Sequence, residues 1–285
     1  MSVSTISRPA GSPPDSIDWE GETITAIDRR LDEIDRLSHA LDAVEQPTEP
    51  SEYAFPPGFR LSVVIPVYNE RKTIEKVVRR IDQLPVDAEI IVVDDCSTDG
   101  TRDVLARIAH YIDLKIKYHE VNQGKGAALR TGFAAATGEI TVVQDADLEY
   151  EPRDILTVIR PILEGDADVA YGSRFSESRH ANSSWIHRAG NRFLTWLSNC
   201  TTGLKITDME TCYKAIRTST LRSVTIEQDR FGFEPEITAK LARRKLRFVE
   251  RPISYNARSW RSGKKIGLRD AFQAIWCILR YGLRD

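Results

Sequence analysis

The chain has 285 residues, 40 Lys+Arg against 42 Asp+Glu (net charge −2) and 41% hydrophobic residues. That balance fits one large or two small globular domains and excludes collagen-like, wholly disordered and disulfide-miniprotein chains. No apolar run reaches the roughly 18 residues of a membrane-spanning helix, and the N-terminal MSVSTISRPAGSPPD lacks a leader's apolar stretch. Cys96, Cys200, Cys212 and Cys277 show no CxxC spacing, so free thiols in a reducing, cytoplasmic setting are expected.

Residues 1–22 are rich in Pro, Ser and Gly and read as a disordered tail. Over 23–45, Ile24, Ile27, Leu31, Ile34, Leu37, Leu41 and Val44 recur at steps of three and four, which predicts an amphipathic helix. Docking on the main domain and pairing with a second copy into a homo-oligomer both suit that stripe. Residues 46–59 read as a linker, and a single domain is expected over 60–285. It opens with alternating segments: strands at 61–67, 89–95, 114–121, 139–147 and 167–173, helices at 70–81, 99–112, 124–136 and 154–165. Short, continuously apolar strands between helices of about a dozen residues predict an α/β fold, its sheet mostly parallel and covered on both faces. Ligands of such sheets bind beyond the carboxyl ends of the strands.

Charge is unevenly spread. Residues 1–58 carry 12 acidic and 4 basic side chains, whereas residues 179–285 carry 21 basic and 9 acidic. A basic C-terminal portion suits an anionic partner such as nucleic acid, a phosphorylated ligand or a lipid headgroup. Segments 185–204 and 266–283 interleave aromatic and aliphatic residues with cations, as interfacial helices do, and core packing explains the same pattern.

The polar residues cluster at three strand ends: Pro66-Val67-Tyr68-Asn69-Glu70, Asp94-Asp95-Cys96-Ser97-Thr98-Asp99, and Asp145-Ala146-Asp147-Leu148-Glu149. Asp145 and Asp147, two apart at a strand terminus, are expected on one side of the sheet edge. Two such carboxylates repel unless a cation lies between them, and hard oxygen donors suit Mg²⁺ or Mn²⁺ shared with substrate phosphates. Calcium-loop readings fail because Ala106 stands where the bidentate Glu belongs and Tyr150 where the Gly belongs. The P-loop, GxGxxG, HExxH and GxSxG patterns are absent, which removes the commoner nucleotide-binding and hydrolytic chemistries. Lys125 reads as a solvated charge, Asp99 as a helix cap, and Glu234 and Glu236 as contacts to a loop.

IPVYNE, IIVVDDCSTDGT, NQGKGAALRTGF, QDADLEY, YGSRF, TDMETCYKAIR and FGFEPEITAKLAR, in this order, resemble the inverting GT-A glycosyltransferases. Within that family they are most similar to polyprenyl-phosphate sugar transferases of the dolichol-phosphate mannose synthase type. The resemblance covers roughly residues 60–282 and implies a metal-dependent enzyme moving a hexose from GDP-mannose or UDP-glucose to a polyprenyl phosphate. It implies a donor pocket of Pro66, Tyr68 and Glu70, base contacts from Val93 and Asp95, and Ala146 against the ribose. Asp145, Asp147 and Glu149 would hold Mg²⁺ or Mn²⁺; Arg174, Arg258 and Lys264 or Lys265 would contact phosphates. Asp145, Asp147 and Arg258 would carry catalysis. The implied partners are a nucleotide sugar, a polyprenyl phosphate and a membrane surface touched peripherally, with no nucleic acid. A related transferase with a soluble or polysaccharide acceptor, or a silent nucleotide-sugar-binding scaffold, are the rival readings.

Overall fold

The computed structural model describes residues 55–175, 185–257 and 268–283. The expected tail, the 23–45 helix, most of the linker, and Arg258, Lys264 and Lys265 lie outside the described residues. Among the described residues seven strands form one sheet: β1 (Leu61–Val67), β2 (Ala88–Asp94), β3 (Leu114–Tyr118), β4 (Ile140–Val143), β5 (Val169–Ser173), β6 (Lys214–Arg217) and β7 (Phe248–Pro252). Their order is β3-β2-β1-β4-β6-β5-β7. Every pairing is parallel except those of β6, which runs antiparallel to both β4 and β5.

Continuous apolar sequence explains the central strands. In β1, β2, β4 and β5 nearly every residue is buried, so both faces are covered, as the unbroken runs require. The first covering helices are α1 (Ile74–Asp82), α2 (Thr101–Ile108), α3 (Lys125–Ala135) and α4 (Asp154–Leu163). α1 buries Ile74, Val77, Val78 and Ile81, the spacing of a single helical face. Beyond them come α5 (Trp185–Thr202), α6 (Thr218–Arg222), α7 (Phe233–Ala242) and α8 (Leu268–Leu283).

The amino-terminal edge of the sheet is tied by a buried carboxylate. Glu89, at the start of β2, accepts hydrogen bonds from Ser62 Oγ (2.5 Å), Thr137 N (2.8 Å) and Thr137 Oγ1 (2.6 Å), and pairs with Lys115. Burial opposes its charge, yet these donors hold its pKa down at about 2.

At the opposite edge two expectations change. β4 ends at Val143 rather than 147, so Asp145 and Asp147 follow the strand in a turn, with Leu148 in the left-handed region at φ 60°. Strand alternation therefore does not orient the two aspartates; the turn does. α2 begins at Thr101, and Asp99 accepts from both Thr101 N (3.0 Å) and Arg71 N (3.1 Å), joining the ends of β1 and β2 as well as opening the helix.

Candidate active site

The reversal of β6 brings a second set of residues to the edge where β1, β2 and β4 end. With Val142 opposite Ala215, the segment before β6 arrives beside the tip of β4. Tyr213 donates its hydroxyl to Gln144 Oε1 (2.7 Å) and the Glu151 carbonyl (2.9 Å), and the Cys212 N–H donates to the Tyr150 hydroxyl (3.1 Å). The rings of Tyr150, Tyr213 and Tyr255 pack at 5.0–5.3 Å. A buried aromatic brace thus fixes the Asp145–Glu149 turn.

The turn is joined to a partly buried cation. Lys125 Nζ, at the first residue of α3, lies 2.9 Å from Asp145 Oδ1 and 3.0 Å from Glu234 Oε1. Gly124 and Gly126 make that position possible, because a Cβ on either would strike the backbone of Gln228 or Asp229. Gly124 also has φ 102°, which side-chain-bearing residues rarely adopt. Burial disfavours the Lys125 ammonium, but the two carboxylates outweigh burial and raise its pKa well above the ordinary value. The expected solvated lysine is instead the counter-charge of the site. Glu234, also at a helix start, keeps its second oxygen, Oε2, buried with no hydrogen-bond partner. Glu236 fills the expected loop-contact role, accepting from Glu227 N (2.7 Å) and Gln228 N (2.8 Å).

Asp147 and Glu149 are both buried. Asp147 Oδ1 accepts from the Glu149 N–H (3.2 Å), and Glu149 Oε2 accepts from the Tyr255 hydroxyl (2.8 Å). Among the described residues no three His, Cys, Asp or Glu side chains converge as a metal cage. Asp145 and Asp147 remain hard oxygen donors on one tight turn, a set that suits Mg²⁺ or Mn²⁺ completed by ligand oxygens.

Tyr68 is half exposed at the end of β1, with Pro66 and Glu70 partly buried beside it. Thr73 Oγ1 donates to Glu70 Oε2 (2.8 Å). Val93 and Ala146 are buried. Asp95 is 3% exposed, and its carboxylate accepts from Gln123 N (2.9 Å) and Gly124 N (2.7 Å) and meets His119 Nδ1 at 2.7 Å. Asp95 thereby anchors the loop that delivers Lys125.

Arg174, expected at a phosphate, grips Asp208 through Nε (2.6 Å) and Nη2 (2.7 Å). Burial opposes both charges, but their mutual attraction raises the arginine's pKa and lowers the aspartate's. Glu210 lies in the same network: burial and then Glu234 push its pKa upward, while Lys214, wholly buried, is pushed down. Lys214 Nζ donates to the carbonyls of Met209 (2.7 Å) and Thr211 (2.6 Å). The sequence reading missed Lys125, Asp208, Glu210, Lys214 and Glu234 as site residues. Their signal was charge inside otherwise apolar segments.

A family model described as glycosyl transferase family 2 matches residues 62–225, more than half the chain. The chain belongs to glycosyl transferase family 2. This family 2 glycosyltransferase is 28% identical over 204 residues to the undecaprenyl-phosphate 4-deoxy-4-formamido-L-arabinose transferase of Edwardsiella ictaluri (strain 93-146). That match takes in 70% of this chain but 60% of the relative's length. Among solved structures it resembles glucosyl-3-phosphoglycerate synthase from Mycobacterium tuberculosis in complex with Mn²⁺ and UDP-glucose. The TM-score is 0.63 at 23% identity, covering 80% of this chain and 81% of that one. The complex of the same synthase with Mg²⁺ and UDP matches with a TM-score of 0.63, covering 80% and 82%. These likenesses establish the GT-A fold. Cys96, Cys200, Cys212 and Cys277 are free thiols. Among the described residues no helix is long and apolar enough to cross a membrane.

Proposed function

We propose that this glycosyltransferase moves a hexose from a nucleoside diphosphate sugar to a polyprenyl phosphate at a membrane surface. One observation carries the reading: α5 joins the site to an exposed aromatic surface. Its inner side holds the segment that walls the site, with Asn191 Nδ2 donating to Asp208 (3.0 Å), Thr195 Oγ1 accepting from Met209 N (3.1 Å) and Asn199 Nδ2 donating to the Ile206 carbonyl (2.8 Å). Its outer side exposes Phe193 and Trp196, and α8 exposes Phe272, Trp276, Leu279 and Leu283. Arg188 and Arg192 flank the first pair, and Arg280 stacks on Trp276 at 4.8 Å. Aromatic rings among cations suit an anionic headgroup region.

On this reading the nucleoside lies by Tyr68 and the diphosphate faces the Asp145–Asp147 turn. Asp145 and Asp147 would hold Mg²⁺ or Mn²⁺, which when bound offsets the charge of the departing diphosphate. Arg258, Lys264 and Lys265 are proposed to add positive charge there. A phosphate monoester is already anionic near neutral pH, so no strong general base is needed. An acceptor oxygen attacks the anomeric carbon as the bond to the diphosphate breaks, inverting that centre. The protein's share is alignment and charge, with Lys125 keeping Asp145 in place.

The test incubates the full chain with radiolabelled GDP-mannose or UDP-glucose, Mg²⁺ or Mn²⁺ and a short polyprenyl phosphate, then extracts lipid. Label in the lipid phase supports the reading. Label transferred only to phosphoglycerate or another soluble acceptor overturns the lipid assignment.

A further inference from the structure

The loop that delivers Lys125 is tied to one residue. Asn122 Nδ2 donates to the Asp95 carbonyl (3.2 Å), Gln123 N to Asp95 Oδ1 (2.9 Å) and Gly124 N to Asp95 Oδ2 (2.7 Å). Asp95 gathers three successive residues only while its own rotamer is fixed. His119 fixes it: Nδ1 lies 2.7 Å from Asp95 Oδ1, and Nε2 lies 2.9 Å from Thr131 Oγ1. The carboxylate already accepts from two backbone N–H groups and accepts from His119 as well, which assigns the ring proton to Nδ1. Thr131 stands on α3, the helix that Lys125 opens, so the ring spans from the end of β2 to that helix. The His119 backbone is held too, its N–H donating to the Asp94 carbonyl (2.9 Å) and its carbonyl accepting from Arg102 Nη2 (2.7 Å). His119 and Asp95 are both buried. A buried ring with both nitrogens engaged holds its neighbours in place.

We infer that His119 is a positioning residue for glycosyl transfer. Its Nδ1 proton sets the Asp95 carboxylate, Asp95 sets the 122–124 loop, and the loop sets Lys125 between Asp145 and Glu234. This role is independent of the acceptor and goes beyond the function proposed above. The other side of the same helix start is rigid through its backbone. Ala127 N donates to the Asp229 carbonyl (3.0 Å), and the Gln228–Asp229 backbone leaves no room for a Cβ at Gly124 or Gly126. The Asp95 side rests instead on a side-chain hydrogen bond, which a substitution at position 119 removes. Asp95 spends its acceptor positions on this chain: Oδ1 on Gln123 and His119, Oδ2 on Gly124. Losing His119 therefore loosens the loop first. On the proposed function the damage falls on turnover, because Lys125 holds the Asp145 turn that faces the departing diphosphate. Tyr68 and the rest of the β1 tip stay in place, so donor binding is spared.

The test separates the two ring nitrogens. In His119→Asn the amide nitrogen stands where Nδ1 stood and keeps the bond to Asp95. In His119→Gln the amide nitrogen reaches towards Thr131 and that bond is lost. The full chain is compared in three forms by hydrogen exchange of the 120–127 segment and by steady-state transfer from UDP-glucose or GDP-mannose. His119→Gln is expected to exchange the Gln123 and Gly124 amides about tenfold faster or more and to lower kcat by a similar factor. Its KM for the donor should stay within about twofold of wild type. His119→Asn is expected to return exchange and kcat to within about threefold of wild type. A merely structural ring moves both variants alike, so equal exchange and equal kcat in the two overturn the inference. Rescue by Gln instead of Asn also overturns it, because the bond to Thr131 then carries the effect. So does a raised donor KM at unchanged kcat, because Asp95 then serves the nucleoside. If His119→Gln does not fold, Asp95→Asn takes its place, with the same kcat loss at steady donor KM expected and a loss in KM alone refuting. Absence of transfer by wild type sinks the proposed function, and exchange of the Gln123 and Gly124 amides then decides on His119 by itself.

Discussion

Replacing Lys125 by Met removes the one ammonium that separates Asp145 from Glu234 while keeping most of the side-chain volume. The lysine side chain is 18% exposed, and its partners are 15% and 6% exposed, at 2.9 and 3.0 Å. Breaking a buried pair by deleting one member costs about 3–5 kcal/mol, and partial access of water favours the lower end, about 3 kcal/mol. In a domain of this size that corresponds to a fall in Tm of roughly 6–12 °C. The loss should depend on pH in a definite direction. Without the ammonium the two carboxylates face each other with no cation between them, so protonating either relieves the repulsion and the deficit narrows on acidification. Millimolar Mn²⁺ with UDP should also narrow it, by returning positive charge to Asp145. Thermal unfolding of both proteins at neutral and mildly acidic pH is the assay. A variant within about 2 °C of wild type at neutral pH, or a gap that widens on acidification, refutes the role given to Lys125.

Asp145→Ala and Asp147→Ala should each lower sugar transfer by roughly a hundredfold or more, because charge on the leaving diphosphate goes uncompensated. Full activity of either variant with added Mg²⁺ or Mn²⁺ removes the metal assignment. Arg174→Lys should lose about 3 kcal/mol in denaturant unfolding, since an ammonium cannot make both bonds to Asp208; wild-type stability contradicts the two-pronged geometry. Glu89, held at a pKa of about 2, contributes about 3 kcal/mol that is present above its unfolded value near 4.5 and lost as pH falls towards 2. Glu89→Gln should therefore be less stable at neutral pH and lose less further stability on acidification, read by circular dichroism. A Phe272→Ser/Trp276→Ser variant should co-sediment less with anionic vesicles while keeping its Tm; unchanged, salt-insensitive sedimentation argues against α8 as a membrane surface.

Much of the first half was legible because local pattern decides it. Unbroken runs such as IIVVDD are strands covered on both faces, and their order along the chain implies parallel pairing. Reversal of β6 was not legible: KAIR is too short to state its direction, and its place between β4 and β5 follows from tertiary packing. The tip of β4 was read too long, because Gln144 and Asp145 continue the strand's alternation on paper while the chain has already turned. Lys125 was misread for a related reason. A lone lysine next to glycines resembles a loop charge until Glu234, more than a hundred residues later, closes over it. Arg174 was read as a phosphate contact; the structure pairs it with Asp208, which the reversed strand brings beside it.

That single inverted strand also separates the protein's tasks along the chain. On the proposed function, residues before about 150 furnish the nucleoside edge and the aspartate turn, whereas those leading into β6, with α5 behind them, furnish the opposite wall. If the proposed function holds, exchanging the later stretch for another of equal length is expected to change the sugar's recipient while the earlier stretch goes on loading the same activated donor.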